Sequence, residues 1–187
     1  MKHKFKSICY DAASLLTNVN DLKGFQRNLE RQAHEDHAMS WTPDEYKGMA
    51  FEALVEVLIS ASPIDKRINI CNYRPHDARL DGKDMGIDGY GQSHNGNAHT
   101  VQIKYRNDPT ATLTTKDSIS NFVAKTTSHP DYKDADMTVF TTAKDLHQGI
   151  AEDMYHGRVR TLGRRDLAKL IDNNAAFWNT FRTEMGV

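Results

Sequence analysis

Gly82-Lys83-Asp84-Met85-Gly86-Ile87-Asp88-Gly89-Tyr90-Gly91, a polar turn, and then His99-Thr100-Val101-Gln102-Ile103-Lys104-Tyr105-Arg106 make up the stretch whose reading decides the fold. Residues 92–98, between the two halves, are rich in Gly, Asn, Ser and His, the composition of a hairpin connection. The pattern predicts two strands, the first ending near Asp88. Along the second, alternation sends Gln102 and Lys104 to one face and Val101, Ile103 and Tyr105 to the other. The apolar face reads as core. The polar face gathers a carboxylate, an amide oxygen and an ammonium. Carboxylate and amide oxygens are hard ligands that suit Mg2+, which takes few protein carboxylates and keeps places for water and substrate phosphate. A lysine beside them neutralises developing negative charge or orients a water. An ordinary hairpin with a solvated polar face shows the same alternation, so the flanking chain has to decide.

Upstream, Thr42-Pro43-Asp44-Glu45 is a capping box with proline at the first helical position. It opens a helix whose apolar stripe is Phe51, Leu54, Val55 and Leu58. Glu52 stands at the stripe's edge one turn after Gly48, a glycine expected to permit close approach of a neighbouring sheet. The order that follows is a strand at 67–73, the hairpin, a helix at 115–125 and a strand at 137–142. Further on, 145–155 reads as helix, 157–162 as a short strand, and a helix follows Gly163. Asn174 opens a closing helix whose Phe177, Trp178 and Phe181 face the core. Ahead of all this, Leu15, Leu16, Val19, Leu22, Phe25 and Leu29 give a helical stripe across residues 8–38.

Gly48-x-x-Phe51-Glu52, Gly86-Ile87-Asp88-Gly89 and Gln102-Ile103-Lys104, in αβββαβ order, resemble the PD-(D/E)xK nuclease superfamily. Within it the resemblance is to the branch of Mrr-like restriction nucleases and archaeal-type Holliday-junction resolvases. It covers residues 42–171. It implies an α/β, restriction-endonuclease-like fold, a mixed central sheet flanked by helices, with a helical N-terminal extension. It also implies a DNA endonuclease that needs Mg2+, with Mn2+ as a substitute. Matched position by position, Glu52, Asp88, Gln102 and Lys104 take the catalytic places. Glu52, Asp88, Gln102 and the backbone carbonyl of Ile103 shape the metal site. Gln102 departs from the acidic form of the motif, as the Mrr-like branch commonly does, and its lack of charge disfavours a second tightly held metal.

The resemblance leaves the substrate open between branched DNA and the target of an Mrr-like restriction or repair nuclease. A small chain without an evident target-reading module favours a structure-selective, Holliday-junction resolvase-like enzyme. Two cuts on a symmetric junction then imply a homodimer with two-fold symmetry. A catalytically silent DNA-binding module on the same fold is the remaining alternative, and the complete Glu-Asp-Gln-Lys set argues against it. Gly86, Gly89 and Gly91 do not have the spacing of a dinucleotide-binding fingerprint, and no helix follows them.

The 187 residues suit a helical extension over 1–40 and a nuclease domain over 41–187. Lys and Arg total 24 against 25 Asp and Glu, a net charge of −1. Affinity for DNA must therefore come from clusters instead of overall charge. The candidates are Arg74 and Arg79 before the hairpin and Arg106 after it. Thr115 and Lys116 stand where a helix N-terminus favours phosphate. Arg158, Arg160, Arg164 and Arg165 are the densest basic group. Cys9 and Cys71, far apart, make no disulfide framework, which points to a reducing, cytoplasmic setting, including that of a phage- or plasmid-encoded protein. No stretch approaches a membrane span.

Overall fold

The structure is a computed structural model and describes residues 4–35, 41–62, 65–76, 86–114, 119–146 and 158–187. The expected strand and helix positions at 77–85, 115–118 and 147–157 lie outside these residues. The chain forms two compact units, Met1–Ala61 with Asp166–Val187, and Ser62–Arg165.

The first unit is helical. It holds α1 (Lys4–Ile8), α2 (Ala12–Leu16), α3 (Leu22–Ala33) and α4 (Pro43–Ala61). The single helical run expected over 8–38 is broken in two places. Asp11 and Asp21 each cap a new helix, accepting from the N–H of Ser14 at 2.8 Å and of Gly24 at 2.5 Å. The capping box of α4 forms as expected: Thr42 N–H donates to Glu45 at 2.8 Å, and Glu45 N–H to the Thr42 hydroxyl at 3.3 Å. Phe51, Leu54, Val55 and Leu58 are all buried. Gly48 has a different role from the expected one: a Cβ there would meet nothing within 4 Å among the described residues, so no close approach depends on it. Lys47, 2% exposed, is held between Glu30 at 3.2 Å and Asp44 at 3.1 Å, tying α3 to α4. Phe25 packs on Trp178 and Phe181 of the closing helix, α7 (Ala175–Met185), as the aromatic pattern predicts. Between them in sequence, α6 (Arg164–Ile171) follows Gly163.

The second unit is built on a five-stranded mixed sheet. Its strands are β1 (Cys71–Pro75), β2 (Gly89–Gln92), β3 (Ala98–Lys104), β5 (Asp136–Thr141) and β7 (Val159–Leu162), in the order β1-β2-β3-β5-β7. The pairs β1/β2 and β2/β3 are antiparallel, and β3/β5 and β5/β7 are parallel. Two short strands, β4 (Thr112–Leu113) and β6 (Asp145–Leu146), pair separately. The crossover from β3 to β5 runs through α5 (Ile119–Ser128). Phe122 and Val123 of α5 pack against Met137 and Val139 of β5 and Tyr90 of β2. Thr100 meets Thr126 of α5 at 3.2 Å, so Thr100, Gln102 and Lys104 share the α5 face of β3.

Two expectations for the hairpin change. First, β2 begins just after Asp88 instead of ending there. Gly89 and Gly91 are strand residues because their bare faces are filled by neighbours. A Cβ on Gly89 would collide with the Tyr73 phenol, and one on Gly91 would lie 2.8 Å from Ile70. Second, β3 has no solvated face. It is the middle strand, and His99 to Ile103 are all buried. Parallel neighbours that connect through helices bury both faces of a strand.

The far face of β3 carries a buried polar chain. Ser93 donates its hydroxyl to the Asp136 carboxylate, so it accepts from His99 Nδ1–H at 3.0 Å. His99 Nε2, left without a proton, accepts from the Thr138 hydroxyl at 2.8 Å. His99 is thus held neutral. Burial pushes its pKa down from the ordinary 6.5 to about 4, with Asp136 opposing the change and Arg160 adding to it. Between these values the unfolded chain binds a proton that the folded chain refuses, so acid favours unfolding. A depression of this size corresponds to roughly 3 kcal/mol of stability. The wild type should therefore lose about that much more than His99→Gln as the pH falls from about 6.5 to about 4. Urea unfolding of both proteins across that range measures the difference, and parallel pH profiles would remove His99 from this role.

Candidate active site

Asp88 is fixed by three hydrogen bonds. Its N–H donates to the Val101 carbonyl at 2.8 Å, and its own carbonyl accepts from the His76 N–H at 2.9 Å. Its carboxylate Oδ2 accepts from the Ile103 N–H at 2.5 Å. The side chain thus does for β3 what a strand carbonyl would do one residue before β2 begins. Because Asp88 grips β3 on either side of Gln102, the carboxylate cannot swing away without freeing a backbone donor.

Gln102 is fully buried. Its Nε2 donates to the Gly86 carbonyl at 2.8 Å, which settles the orientation of the amide. The other end, Oε1, is buried and receives no hydrogen bond from the described residues. An acceptor left in that state costs about 1–3 kcal/mol unless something satisfies it. Gly86 itself has φ +73°, the left-handed region that glycine adopts readily, and its Cα faces Gln102 Nε2 and Asn121 Nδ2, which a Cβ would touch at 3.6 and 3.4 Å.

Ile103 directs its N–H toward Asp88. N–H and C=O of one strand residue leave on the same side, so its carbonyl opens on that side as well. The Lys104 carbonyl leaves on the opposite side, where it accepts from the Thr141 hydroxyl at 2.8 Å and the Thr142 N–H at 3.4 Å. Lys104 is half-buried and shares the Gln102 face. The described residues of this unit therefore offer the Asp88 carboxylate, the Gln102 amide oxygen without a donor among them, and the Ile103 strand carbonyl. Among the described residues no three His, Cys, Asp or Glu side chains gather as a metal site. The set suits a hard divalent ion that keeps several waters and lacks the thiolates and imidazoles of structural zinc.

Glu52 is half-buried on α4, in the first unit. Arg74 is exposed on β1 with its guanidinium 4.7 Å from the centre of the Tyr90 ring. Arg106 is half-buried, its N–H held by the Thr142 hydroxyl at 2.6 Å. Arg158 donates to the carbonyls of Lys133 and Ala135 at 2.7 and 2.9 Å, and Arg160 to that of Ile68, so both stitch β7 to its surroundings. Arg164 and Arg165 open α6, and Arg165 is exposed. Arg79, Thr115 and Lys116 lie outside the described residues.

A family model described as restriction endonuclease matches residues 65–185. The chain belongs to the Mrr-type restriction endonuclease family. The nuclease match contains Asp88, Gln102, Ile103 and Lys104 and begins after Glu52. No curated protein and no solved structure matches the chain. A restriction endonuclease domain is a DNA-cleaving and hence DNA-binding domain, and the mixed sheet with flanking helices is its fold.

Three groups that hold the candidate residues escaped the sequence reading: the Gly86 carbonyl, the His76 N–H and the Tyr73 ring against Gly89. The cluster of glycines was visible, but its partners come from β1 and could be paired only through the fold. Asp88→Ala leaves the Ile103 N–H without its acceptor and should cost about 1–3 kcal/mol, whereas Asp88→Asn keeps an oxygen there and should cost less. Urea unfolding separates them, and equal losses would show that the bond to Ile103 contributes nothing.

Proposed function

We propose that this protein is a metal-dependent DNA endonuclease that hydrolyses phosphodiester bonds, using Mg2+ with Mn2+ as a substitute. The observation that carries the reading is Gln102 Oε1, buried and without a donor among the described residues, on the strand whose next residue, Ile103, pins the Asp88 carboxylate through its N–H. Asp88, Gln102 Oε1 and the Ile103 carbonyl hold the ion. When bound, the ion polarises the phosphate and lowers the pKa of a water. Asp88 contributes the charge that draws a divalent cation in, and Gln102 and Ile103 contribute dipoles without further charge. Lys104 places its ammonium on the Gln102 face, where negative charge gathers as the phosphate is attacked. Thr141 and Thr142 hold the Lys104 backbone and so keep that end of β3 in place. Glu52 as a fourth member rests on the resemblance of Gly48-x-x-Phe51-Glu52 alone.

The finer substrate reading is a four-way junction cut by a homodimer. It is supported by the likeness of the three motifs to junction resolvases. The restriction endonuclease description of the family match favours linear duplex instead. Exposed Arg74 and Arg165 are contacts to the DNA backbone in either case, and backbone contacts make binding fall steeply with salt.

One assay tests both levels. Purified protein with Mg2+ is offered linear duplex and a four-way junction, alongside the variants Asp88→Asn, Lys104→Ala and Glu52→Gln and an EDTA control. Cleavage should need the metal and fall by about a hundredfold or more in the Asp88 and Lys104 variants. Full cutting in EDTA would overturn the metal-dependent reading, and wild-type rates in either variant would remove that residue. Equal cutting of duplex and junction would remove the resolvase reading alone. An unchanged rate in Glu52→Gln would remove Glu52.

A further inference from the structure

We propose that Gly86 is a positioning residue for the metal: its carbonyl selects which end of the Gln102 amide faces the cation, and so selects glutamine at position 102. The inference rests on the site proposed above and adds a residue to it.

An amide side chain is ambiguous, because rotation by half a turn exchanges oxygen for NH2. A buried glutamine that is free to rotate would present a donor to a cation part of the time, and a donor repels it. Here the Gly86 carbonyl takes Nε2 at 2.8 Å, which leaves Oε1 as the buried acceptor. The orienting carbonyl is in turn held by backbone geometry. Gly86 stands at φ +73°, where any L side chain is strained, while a Cβ there would only reach ordinary contact with Gln102 Nε2 and Asn121 Nδ2. Ile87, the next residue, is buried in the core cluster beneath α5, and Asp88 follows with its three hydrogen bonds. The turn before β2 is therefore anchored on its C-terminal side, and Gly86 cannot slide.

The same contact accounts for glutamine in place of the acidic residue of the motif. A carboxylate at position 102 would set an oxygen against the Gly86 carbonyl oxygen, acceptor against acceptor. Only a side chain with an acceptor at one end and a donor at the other satisfies both neighbours. Gly86 acts through Gln102 and touches no reacting atom.

The test reads metal binding directly. Mn2+ affinity is measured by electron paramagnetic resonance on wild type, Gly86→Ala, Gln102→Met, the double variant and Gly96→Ala. Gly96 is the control: it also has positive φ, at +88°, but a Cβ there meets open space. Thermal melts confirm that each protein is folded. Gly86→Ala should weaken Mn2+ about tenfold or more, the loss typical of removing a group that orients a ligand. Gly96→Ala should leave Mn2+ affinity unchanged. The double variant should bind no more weakly than Gln102→Met, because both changes remove one interaction.

Wild-type affinity in Gly86→Ala, or losses in the double variant that simply add, would overturn the role of Gly86 and leave the nuclease site standing. A wild type that binds no Mn2+ would instead overturn the metal site itself. If Gly86→Ala fails to fold, Gln102→Glu decides: affinity at least tenfold tighter than wild type would show that the Gly86 carbonyl does not select glutamine, and unchanged or weaker binding supports the selection.

Discussion

The bond from the Ile103 N–H to the Asp88 carboxylate is the constraint on which the site depends. It joins the last residue before β2 to the central strand at the point where strand pairing stops. A sheet that ended there with ordinary backbone pairing would leave Asp88 free to point into solvent. Instead the carboxylate is built into the ladder, and Gln102 is bracketed between its two points of attachment. Antiparallel β2 brings Asp88 to β3, and parallel β5 holds the other side of β3 through Thr141 and Thr142. The mixed sheet thus holds the proposed site from both sides: the turn into one neighbour of β3 brings Asp88, and the segment of the other fixes the Lys104 carbonyl.

Burial then differentiates the polar residues of that strand. His99 and Gln102 are both sealed from water, with opposite consequences. His99 finds a partner at each nitrogen, and desolvation holds it neutral. Among the described residues Gln102 finds a partner at one end only. A fully satisfied buried polar chain stabilises a fold, whereas a half-satisfied amide leaves an acceptor open. That difference separates the structural end of β3 from the end proposed to be catalytic.

Much of this was legible in the residues. The capping box of α4, the α5 crossover and the strand with Gln102 and Lys104 on one face all follow from local pattern. The boundaries that shifted did so for tertiary reasons. The first hairpin strand is expected to end near Asp88, yet Gly89 and Gly91 pair in β2 because the Tyr73 ring and Ile70 occupy the space where their side chains would be. Alternation in β3 suggested one wet face, but a middle strand has none. Arg158 and Arg160, read with Arg164 and Arg165 as one basic group facing the DNA backbone, keep that role as a proposal. Their hydrogen bonds to the carbonyls of Lys133, Ala135 and Ile68 depend on chain segments up to 92 residues away and leave no local trace. The orienting role of Gly86 was hidden for the same reason, since it needs a hydrogen bond across 16 residues.

The central claim is that Asp88, Gln102 and Ile103 hold one divalent cation through oxygen. Anomalous diffraction from crystals soaked in Mn2+ tests it most directly. The expected result is a single strong peak within coordination distance of an Asp88 carboxylate oxygen, Gln102 Oε1 and the Ile103 carbonyl, with Gln102 Nε2 still on Gly86. A peak elsewhere, or a Gln102 amide turned to give its NH2 to that space, would contradict it.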